Sequence, residues 1–445
     1  MFAKNAKDGP LKVAVLVDLA WTARAGGHVK CWENLARAAA RRTTNLDLTI
    51  FFQGDQTQCI EWSDRVRFVL NRPVLSTQRF RFLDAVADHT DIAPVHPRLF
   101  TQLWQYDVIH TTDAYFAYTR TAECLAKFRR FALITSVHTD TPSYTRLYAE
   151  KALHRICGSR KKLAKRLVDN WRLPEYQAGI MNQRLAQHAA RCHRVLVSER
   201  TDLQWLRELV GPRHTGILRR GVDKDLFHPR QRDRQRLRQQ YGVPDDHFLL
   251  MFAGRVDSGK RVMILAKAAQ ILLARGLQIH VLIAGEGDQT SDIKQMLGPA
   301  VTLSSVVDAK TLAWFYASSD LFIFPSCIEV APNVVLEAKA SGLPPLVTPQ
   351  GGGIFVRASG VDGILVESSD PVTWAEGITA IYDHPQRRDA LAQAARADVE
   401  NQHPSWDEVL SQDLIPVWKA AAAEVHGLPH LHDVPSAYTA ADTAS

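Results

Sequence analysis

Residues 321–349, LFIFPSCIEVAPNVVLEAKASGLPPLVTP, carry the clearest indication of the fold in this sequence. This stretch holds a short apolar run (LFIFPS), a segment of helical character from Asn333 (NVVLEAKASG) and a second apolar run (PPLVTP). Strand, helix and strand in succession form the unit of a parallel sheet. Two carboxylates, Glu329 and Glu337, stand in this apolar setting with seven residues between them. Either they mark the solvated edge of a helix, or both hold a small polar ligand.

The same alternation extends outward from this stretch towards the N-terminus. Apolar runs predict strands at 247–256 and 280–287, and helices are predicted at 262–275 and 312–320. The second half of the chain is therefore predicted to form one parallel sheet flanked by helices.

The first half shows a separate pattern of the same kind. A strand at 13–18 is followed by a loop with Gly26 and Gly27, a helix at 29–42 and a strand at 46–54. Further strands are predicted at 106–110, 132–138 and 194–198. The polar segment 228–245 separates the halves. Ligands bind beyond the carboxyl ends of parallel strands, so two such sheets predict a cleft between the halves.

Composition narrows the class of protein. The 445 residues are 46% apolar and 23% charged, which is ordinary for a globular protein of two or three domains. No apolar run reaches the ~18 residues of a membrane-spanning helix, and the first residues lack the apolar core of a signal peptide. Six scattered cysteines without a CxxC pair argue against a zinc site or a disulfide framework. We therefore expect a cytoplasmic protein.

Charge is distributed unevenly along the chain. Residues 1–230 contain 37 Lys and Arg and 22 Asp and Glu, a net charge of +15, whereas residues 231–445 contain 17 and 25, a net charge of −8. The first half is therefore expected to face an anionic surface. Because no nucleic-acid-binding module is recognisable, an anionic membrane is favoured over nucleic acid.

One segment concentrates this positive charge. Residues 151–166 read KALHRICGSRKKLAKR, with apolar residues interspersed and Trp171 close behind. Cations around an apolar stripe are typical of a helix that lies on an anionic membrane, and a solvated basic helix is the alternative. The seven cations are Lys151, Arg155, Arg160, Lys161, Lys162, Lys165 and Arg166.

Four segments occur together in a recognisable order. They are RRGVDKDLFHP (219–229), FAGRVDSGKR (252–261), LIAGEGD (282–288) and the block around Glu329 and Glu337. In these segments the chain resembles the retaining glycosyltransferases of family 4. The resemblance implies an α/β protein of the GT-B class, with two Rossmann-like doubly wound domains that face an interdomain cleft. It also implies three regions: an acceptor-binding domain at 1–225, a nucleotide-sugar-binding domain at 226–400, and a helix at 401–422 that crosses back to the first domain. The remaining residues, 423–445, are mostly small and polar, and a loose tail is expected there.

A nucleotide-sugar donor leaves a diphosphate on which negative charge develops, and an enzyme must offset that charge. Arg255 and Lys260 follow a predicted strand and supply two cations, an assignment that agrees with the resemblance. The resemblance implies that Glu329, with the N–H groups of the 330–333 turn, meets hydroxyls of the donor sugar, and that Glu337 accepts from the ribose hydroxyls. No DxD metal motif stands in a matching position, so neither a metal nor a cofactor is expected.

Further site residues are implied by the resemblance. The Gly26–Gly27 loop would close over the diphosphate, and His138 would face the donor sugar or its phosphate. Asp140 and Tyr144 would face the acceptor, whereas His110 is expected to be structural. The remaining residues expected to bind the donor are Gly254, Gly285, Gly287, Ala331, Pro332 and Asn333. Ala331 replaces a frequent aromatic and Pro332 lacks an N–H, which leaves the identity of the sugar open.

The resemblance implies a retaining, metal-independent hexosyltransferase, and a UDP-sugar, or next GDP-mannose, is the expected donor. The stretch HTDTPSYTRLY (138–148) is similar to glycolipid-forming members of the family, so a lipid or lipid-linked acceptor is favoured. The protein would then lie peripherally on the inner face of the membrane. A soluble sugar or metabolite as acceptor, a nucleotide-sugar-binding protein without catalysis and, more remotely, a nucleotide-sugar epimerase are the alternatives.

Overall fold

The computed structural model describes residues 9–427 apart from 24, 43–44, 81–87, 158–161, 163–164 and 199–203. Two sheets, of eight and six strands, form the scaffold. The first sheet contains β1 (Leu11–Ala20), β2 (Leu46–Gln53), β3 (Gln58–Ser63), β4 (Val66–Asn71), β5 (Val108–Thr111), β6 (Ala132–Ser136), β7 (Arg194–Val197) and β8 (Thr215–Ile217). The second contains β9 (Phe248–Ala253), β10 (Ile279–Ala284), β11 (Val301–Leu303), β12 (Leu321–Phe324), β13 (Pro345–Val347) and β14 (Ile364–Leu365).

Helices cover both sheets. Those of the first half are α1 (Gly27–Arg41), α2 (Pro97–Gln102), α3 (Ala117–Leu125), α4 (Thr141–Cys157), α5 (Leu173–Ala189) and α6 (Gln204–Val210). Those that follow are α7 (Arg234–Tyr241), α8 (Met263–Ala274), α9 (Thr290–Leu297), α10 (Ala309–Ser318), α11 (Asn333–Ala340), α12 (Pro371–Tyr382), α13 (Pro385–Gln402) and α14 (Ile415–His426). Short 3₁₀ turns lie at Thr77–Arg79, Leu103–Gln105, Pro229–Gln231, Gly298–Ala300 and Gly352–Phe355.

The predicted fold class is confirmed: each half is a doubly wound sheet. The strand orders are β3-β4-β2-β1-β5-β6-β7-β8 and β11-β10-β9-β12-β13-β14. β1 lies between β2 and β5, and β9 lies between β10 and β12, all parallel. The order of connection reverses at β1 and at β9, which opens a crevice at their carboxyl ends. β3 is antiparallel to β4; the sequence did not predict it, because its residues QCIEWS are largely exposed and lack an apolar run.

The C-terminal segment packs on the first sheet rather than on the second. It consists of Trp406–Glu408, a π-helical turn at Val409–Leu414, and α14. Its apolar side chains lie in the same buried cluster as the core of β1 and α1. Trp418 is fully buried there, and its indole N–H donates to His110 Nδ1 at 3.0 Å. The contact gives His110 a structural role.

Helices α4 and α5 form a hairpin that joins the core through the C-terminal end of α5, where Leu185 and Ala189 are buried. They pack along each other and are joined through a π-helical turn at Arg166–Asn170. None of the 17 residues of α4 is fully buried. No helix within the described ranges is both long enough and apolar enough to span a bilayer.

We expect the variant Trp418→Ala to be destabilised by about 3–5 kcal/mol, because it removes a buried aromatic side chain and leaves a cavity. Urea unfolding followed by fluorescence measures the change. Trp104→Ala is the control, since Trp104 is 50% exposed, and its loss should cost much less. Equal stabilities of the two variants would contradict the assigned packing.

Candidate active site

A cavity of about 560 Å³ lies between the two halves, at the carboxyl ends of both sheets. Its walls come from loops after β1, β5, β6, β9 and β12 and from the hairpin of α4 and α5. The predicted site residues that it brings together are Gly26, Gly27, His138, Asp140, Tyr144, Arg255, Lys260, Glu329, Ala331, Pro332 and Asn333.

Lys260 and Glu329 form an ion pair in this cavity, between Nζ and Oε1. Ser326 Oγ donates to the same carboxylate oxygen at 2.7 Å, and Lys260 Nζ lies 3.5 Å from the Tyr144 hydroxyl. Asp257 Oδ1 accepts from the backbone N–H of Lys260 at 3.0 Å, which closes the turn after β9. The turn therefore sets the direction in which the ammonium group points.

Arg255 bridges the cleft. Its Nη1 donates to Asp88 Oδ2 of the first half at 2.8 Å, and its Nε donates to Asp257 Oδ2 at 3.2 Å. A Cβ placed on Gly26 would lie 3.8 Å from Arg255 Nη1, so the guanidinium faces the start of α1. Sequence reasoning did not single out Asp88, because its partner is 167 residues away.

His138 lines the cavity, but both of its ring nitrogens already have partners. Nδ1 lies 3.0 Å from Arg220 Nη1, and Nε2 lies 2.8 Å from Ser136 Oγ. Because a guanidinium can only donate, Nδ1 accepts and Nε2 carries the proton. Burial, followed by His28 and Arg220, lowers the pKa of His138 well below its usual range, so the ring is neutral. For His138 to form a hydrogen bond with the donor, the ring would therefore have to give up its bond to Arg220 or to Ser136.

His28 is a cavity residue that the sequence reasoning missed. Its ring stacks on that of His138, with centroids 4.5 Å apart and planes at 6°. Burial, followed by the Arg220 guanidinium, lowers the pKa of His28 to about 3. Its position directly after Gly26–Gly27 was the available signal.

The turn at 330–333 leads into α11, and both the turn and the first residue of the helix line the cavity. Pro332 precedes the helix, and no side chain caps it. The first N–H groups of α11 are therefore available to a ligand.

Glu337 lies one turn further along α11 and is not among the residues that line the described cavity. Burial raises the pKa of its carboxyl group to about 7, and the neighbouring Tyr316 hydroxyl acts in the opposite direction.

The three predicted donor-binding glycines after β9 and β10 lie outside the lining of this cavity. A Cβ on Gly285 would lie 1.9 Å from the carbonyl oxygen of Gly254, and a Cβ on Gly287 would lie 2.2 Å from that of Val256. The loops that follow the two strands thus approach each other at backbone distance. The structure shows this packing role for Gly254, Gly285 and Gly287, whereas their contact with a donor stays a prediction.

Several polar atoms at the cavity are buried and have no hydrogen-bond partner among the described residues. Such atoms are rare in folded proteins, and their concentration at one cavity indicates a site for a polar ligand. They are His28 Nε2, Asp113 Oδ2, Tyr148 Oη, Arg220 Nε and Asn333 Oδ1. Within the described part of the chain, no group of three or more His, Cys, Asp or Glu side chains is placed to hold a metal ion.

A comparison with known protein families matches the part of the chain that supplies Arg255 and Lys260. Residues 233–398 match the family described as glycosyl transferases group 1. The chain contains a group 1 glycosyltransferase domain. This domain supplies Arg255, Lys260, Glu329 and Glu337, so the resemblance inferred from the sequence is confirmed for these segments.

Curated relatives share part of the chain. The D-inositol 3-phosphate glycosyltransferase of Arthrobacter sp. (strain FB24) is 33% identical over 226 residues, which is 46% of this chain and 53% of the relative. A D-inositol 3-phosphate glycosyltransferase of Catenulispora acidiphila is 33% identical over 235 residues, 49% of this chain and 54% of the relative. The chain thus spans about half the length of the curated relatives it matches.

Solved structures show the fold over nearly the whole chain. Sucrose-phosphate synthase from Thermosynechococcus elongatus superposes with a TM-score of 0.69 at 19% identity and covers 93% of this chain and 100% of that one. The Anabaena protein HepE, in complex with UDP and glucose, gives a TM-score of 0.65 at 16% identity, with 90% and 98% covered. The two sheets of this chain therefore have the GT-B arrangement.

The raised pKa of Glu337 predicts a pH-dependent stability. The folded protein binds this proton more tightly than the unfolded chain does, so its stabilising contribution is complete below about pH 4.5 and is lost as the pH rises through about 7. Glu337→Gln should therefore be more stable than the wild type at pH 8 by on the order of 1–3 kcal/mol and nearly equal to it at pH 4.5.

Thermal unfolding between pH 4.5 and 8 measures this difference. Glu376→Gln, at an exposed position of α12, is the matched control and should follow the wild type at every pH. A Glu337→Gln curve parallel to that of the wild type would show that the carboxyl group is not perturbed.

Proposed function

We propose that the protein is a retaining glycosyltransferase that moves a hexose from a nucleotide-diphosphate donor to a hydroxyl of a lipid or lipid-linked acceptor. The observation that carries the proposal is the meeting of Arg255, Lys260 and Glu329 with the start of α1 in one cavity between two sheets. Such a cavity supplies positive charge for a leaving diphosphate and a carboxylate for sugar hydroxyls. The group 1 domain supports this assignment.

The cations at the cavity can offset the negative charge that develops during the reaction. As the bond between the anomeric carbon and the β-phosphate oxygen breaks, negative charge grows on the diphosphate. Arg255 can bind two phosphate oxygens with its planar fork, and Lys260 adds a point charge. The N-termini of α1 and α11 have no side-chain cap and lie at the same cavity, so their first N–H groups can also bind phosphate oxygens.

Retention follows from attack on the face that the leaving group vacates. The acceptor oxygen forms the new bond to the anomeric carbon, and its proton passes to the departing β-phosphate oxygen. The products are the glycosylated acceptor and the nucleoside diphosphate, so neither a protein nucleophile nor a separate base is required. Glu329 holds sugar hydroxyls during this exchange, and Lys260 and Ser326 hold Glu329.

The nucleotide base of the donor also belongs to this proposal. We propose a UDP-sugar as the first candidate and GDP-mannose as the second, with Glu337 accepting hydrogen bonds from the ribose hydroxyls. A bound nucleotide stabilises the folded state in proportion to the logarithm of its concentration over Kd. Thermal-shift titrations with UDP-, GDP- and ADP-sugars therefore separate the candidates.

The acceptor side of the cavity is apolar. Leu153 and Ile156 of α4 and Leu173 and Leu185 of α5 line one arm of it, next to the stacked rings of Tyr144 and Tyr148. An arm of this kind fits an acyl or isoprenoid chain, because apolar surface leaves water on binding. Its polar end, at Tyr144 and Lys260, would then receive the acceptor hydroxyl.

The same hairpin carries exposed aromatic residues, Trp171 and Tyr176. Lys162 and Lys165, which are close to them in the sequence, are also exposed. Aromatic side chains beside lysines suit the interface of an anionic bilayer. Among the basic residues predicted to contact the membrane, Arg155 and Arg166 are also exposed, whereas Arg160 and Lys161 lie outside the described residues.

Lys151 departs from that prediction. Its Nζ lies 3.9 Å from Asp288 Oδ2 of the second half and 5.7 Å from the ring centroid of Tyr148. It therefore faces the cleft and the other domain, and we no longer assign it to the membrane.

A soluble acceptor is the second candidate function. The curated relatives are named for inositol 3-phosphate, and they share 33% identity with about half of this chain. Membrane binding and acceptor turnover distinguish the two proposals.

Replacing Lys260 by Met should lower kcat for the release of nucleoside diphosphate from the donor by about 10²–10³-fold, because one stabilising group for the leaving charge is lost. Donor hydrolysis without acceptor, followed by a coupled diphosphate assay, measures this. Lys267→Met, at an exposed position of α8, is the control and should keep wild-type rates. A Lys260→Met enzyme within about threefold of the wild type would refute the assignment.

Vesicle flotation tests the membrane contact. The triple variant Lys162→Ser, Lys165→Ser, Arg166→Ser should lose most of its binding to vesicles with anionic lipid, since each cation near the surface contributes about 1 kcal/mol. The matched control removes the same charge from the second half, at the exposed residues Arg238, Arg275 and Arg387. If the wild type does not float with the vesicles, or if the two triple variants float equally well, the lipid acceptor is refuted and a soluble acceptor is favoured.

A further inference from the structure

Arg220 stands out among the cations at the cavity. It is 7% exposed, and it contacts His138 Nδ1 and Cys31 Sγ, each at 3.0 Å. No carboxylate of the described residues lies within ion-pair distance of its guanidinium. By contrast, Arg255 is paired with Asp88 and Lys260 is paired with Glu329.

A buried charge without a counter-charge is costly, and proteins usually pair it. The groups around Arg220 cannot compensate it. His28 and His138 are neutral rings, and the Nε of Arg220 has no hydrogen-bond partner among the described residues. The wall of the cavity thus holds a positive charge that the described residues around it do not neutralise.

The position of this charge is defined by a chain of contacts around the start of α1. Arg255 faces Gly26, His28 follows Gly27 and stacks on His138, and His138 accepts from Arg220. The first turn of α1 has neither a side-chain cap nor an acidic residue. Two guanidiniums therefore lie near an open helix N-terminus, an arrangement that binds anions.

We infer that Arg220 binds an anionic group of the bound donor, as a third cation beside Arg255 and Lys260. This inference rests on the proposed function, since it takes the donor to be a nucleotide-diphosphate sugar. The ligand chemistry is an anionic oxygen group. It comes either from the diphosphate itself or from a carboxylate on the transferred sugar.

Calorimetric titration of the full chain with UDP, UDP-glucose and UDP-glucuronate tests this inference. Arg220→Gln should weaken binding by about 10- to 100-fold, the loss expected for a hydrogen bond to a charged group. If the variant binds UDP itself more weakly than the wild type does, Arg220 contacts the diphosphate. If it binds UDP and UDP-glucose with wild-type affinity and only UDP-glucuronate more weakly, Arg220 contacts a carboxylate on the sugar. Unchanged affinity for all three ligands overturns the inference.

The neighbouring arginine provides a matched control. Arg219 pairs with Asp413 through its side chain and therefore has an assigned structural partner. Arg219→Gln should lower the melting temperature of the ligand-free protein and leave affinity for UDP unchanged. Arg220→Gln should do the reverse, with a ligand-free melting temperature at or above that of the wild type and a smaller shift on adding UDP.

A structural arginine would behave differently. If both Arg220→Gln and the apolar variant Arg220→Met melt below Arg219→Gln or fail to fold, the protein itself needs the charge, and the inference is overturned. Wild-type protein that binds none of the three UDP ligands and shows no thermal shift with GDP- or ADP-sugars would instead refute the proposed function. The two failures are thus distinguishable.

Discussion

Charge compensation across the cleft is the interaction on which the site depends. Arg255 comes from the second sheet and Asp88 from the first half, and their ion pair joins the two halves at the cavity. Lys260 and Glu329 compensate each other within the second half. Paired in this way, the cations keep a defined direction in a partly buried space, where an unpaired charge would be costly.

Sheet topology explains why these groups meet at all. Polar side chains follow the carboxyl ends of β1, β6, β9 and β12, and the order of the strands opens a crevice at that edge in each sheet. The C-terminal segment then packs on the first sheet, with Trp418 against His110 and Ser136 next to both His110 and His138. The core of the first half is thereby linked by hydrogen bonds to the wall of the cavity.

Prediction from the sequence succeeded where a local physical signal exists. Buried parallel strands are continuous apolar runs, and β1, β9, β10 and β12 were predicted on that basis. β3 is largely exposed and has no continuous apolar run, so the sequence contains no signal for it. The π-helical turn at Val409–Leu414 likewise has no sequence periodicity that would predict it. His138 was placed at the site, but its engagement by Arg220 and Ser136 was not foreseen, because neither partner is implied by the residues next to it.

By itself, the amino-acid sequence determined the two alternating halves, the Gly26–Gly27 loop, and the presence of Arg255, Lys260 and Glu329 beside strand ends. These depend on apolar runs and on residues close together in the chain, which a linear pattern contains. Only the tertiary structure decided that Arg255 meets Asp88, 167 residues away, and that Arg220 meets His138, 82 residues away. It also decided that Arg220 is left without a carboxylate among the described residues. Pairing and burial are relations between distant segments, and they exist only once the sheets have brought those segments together.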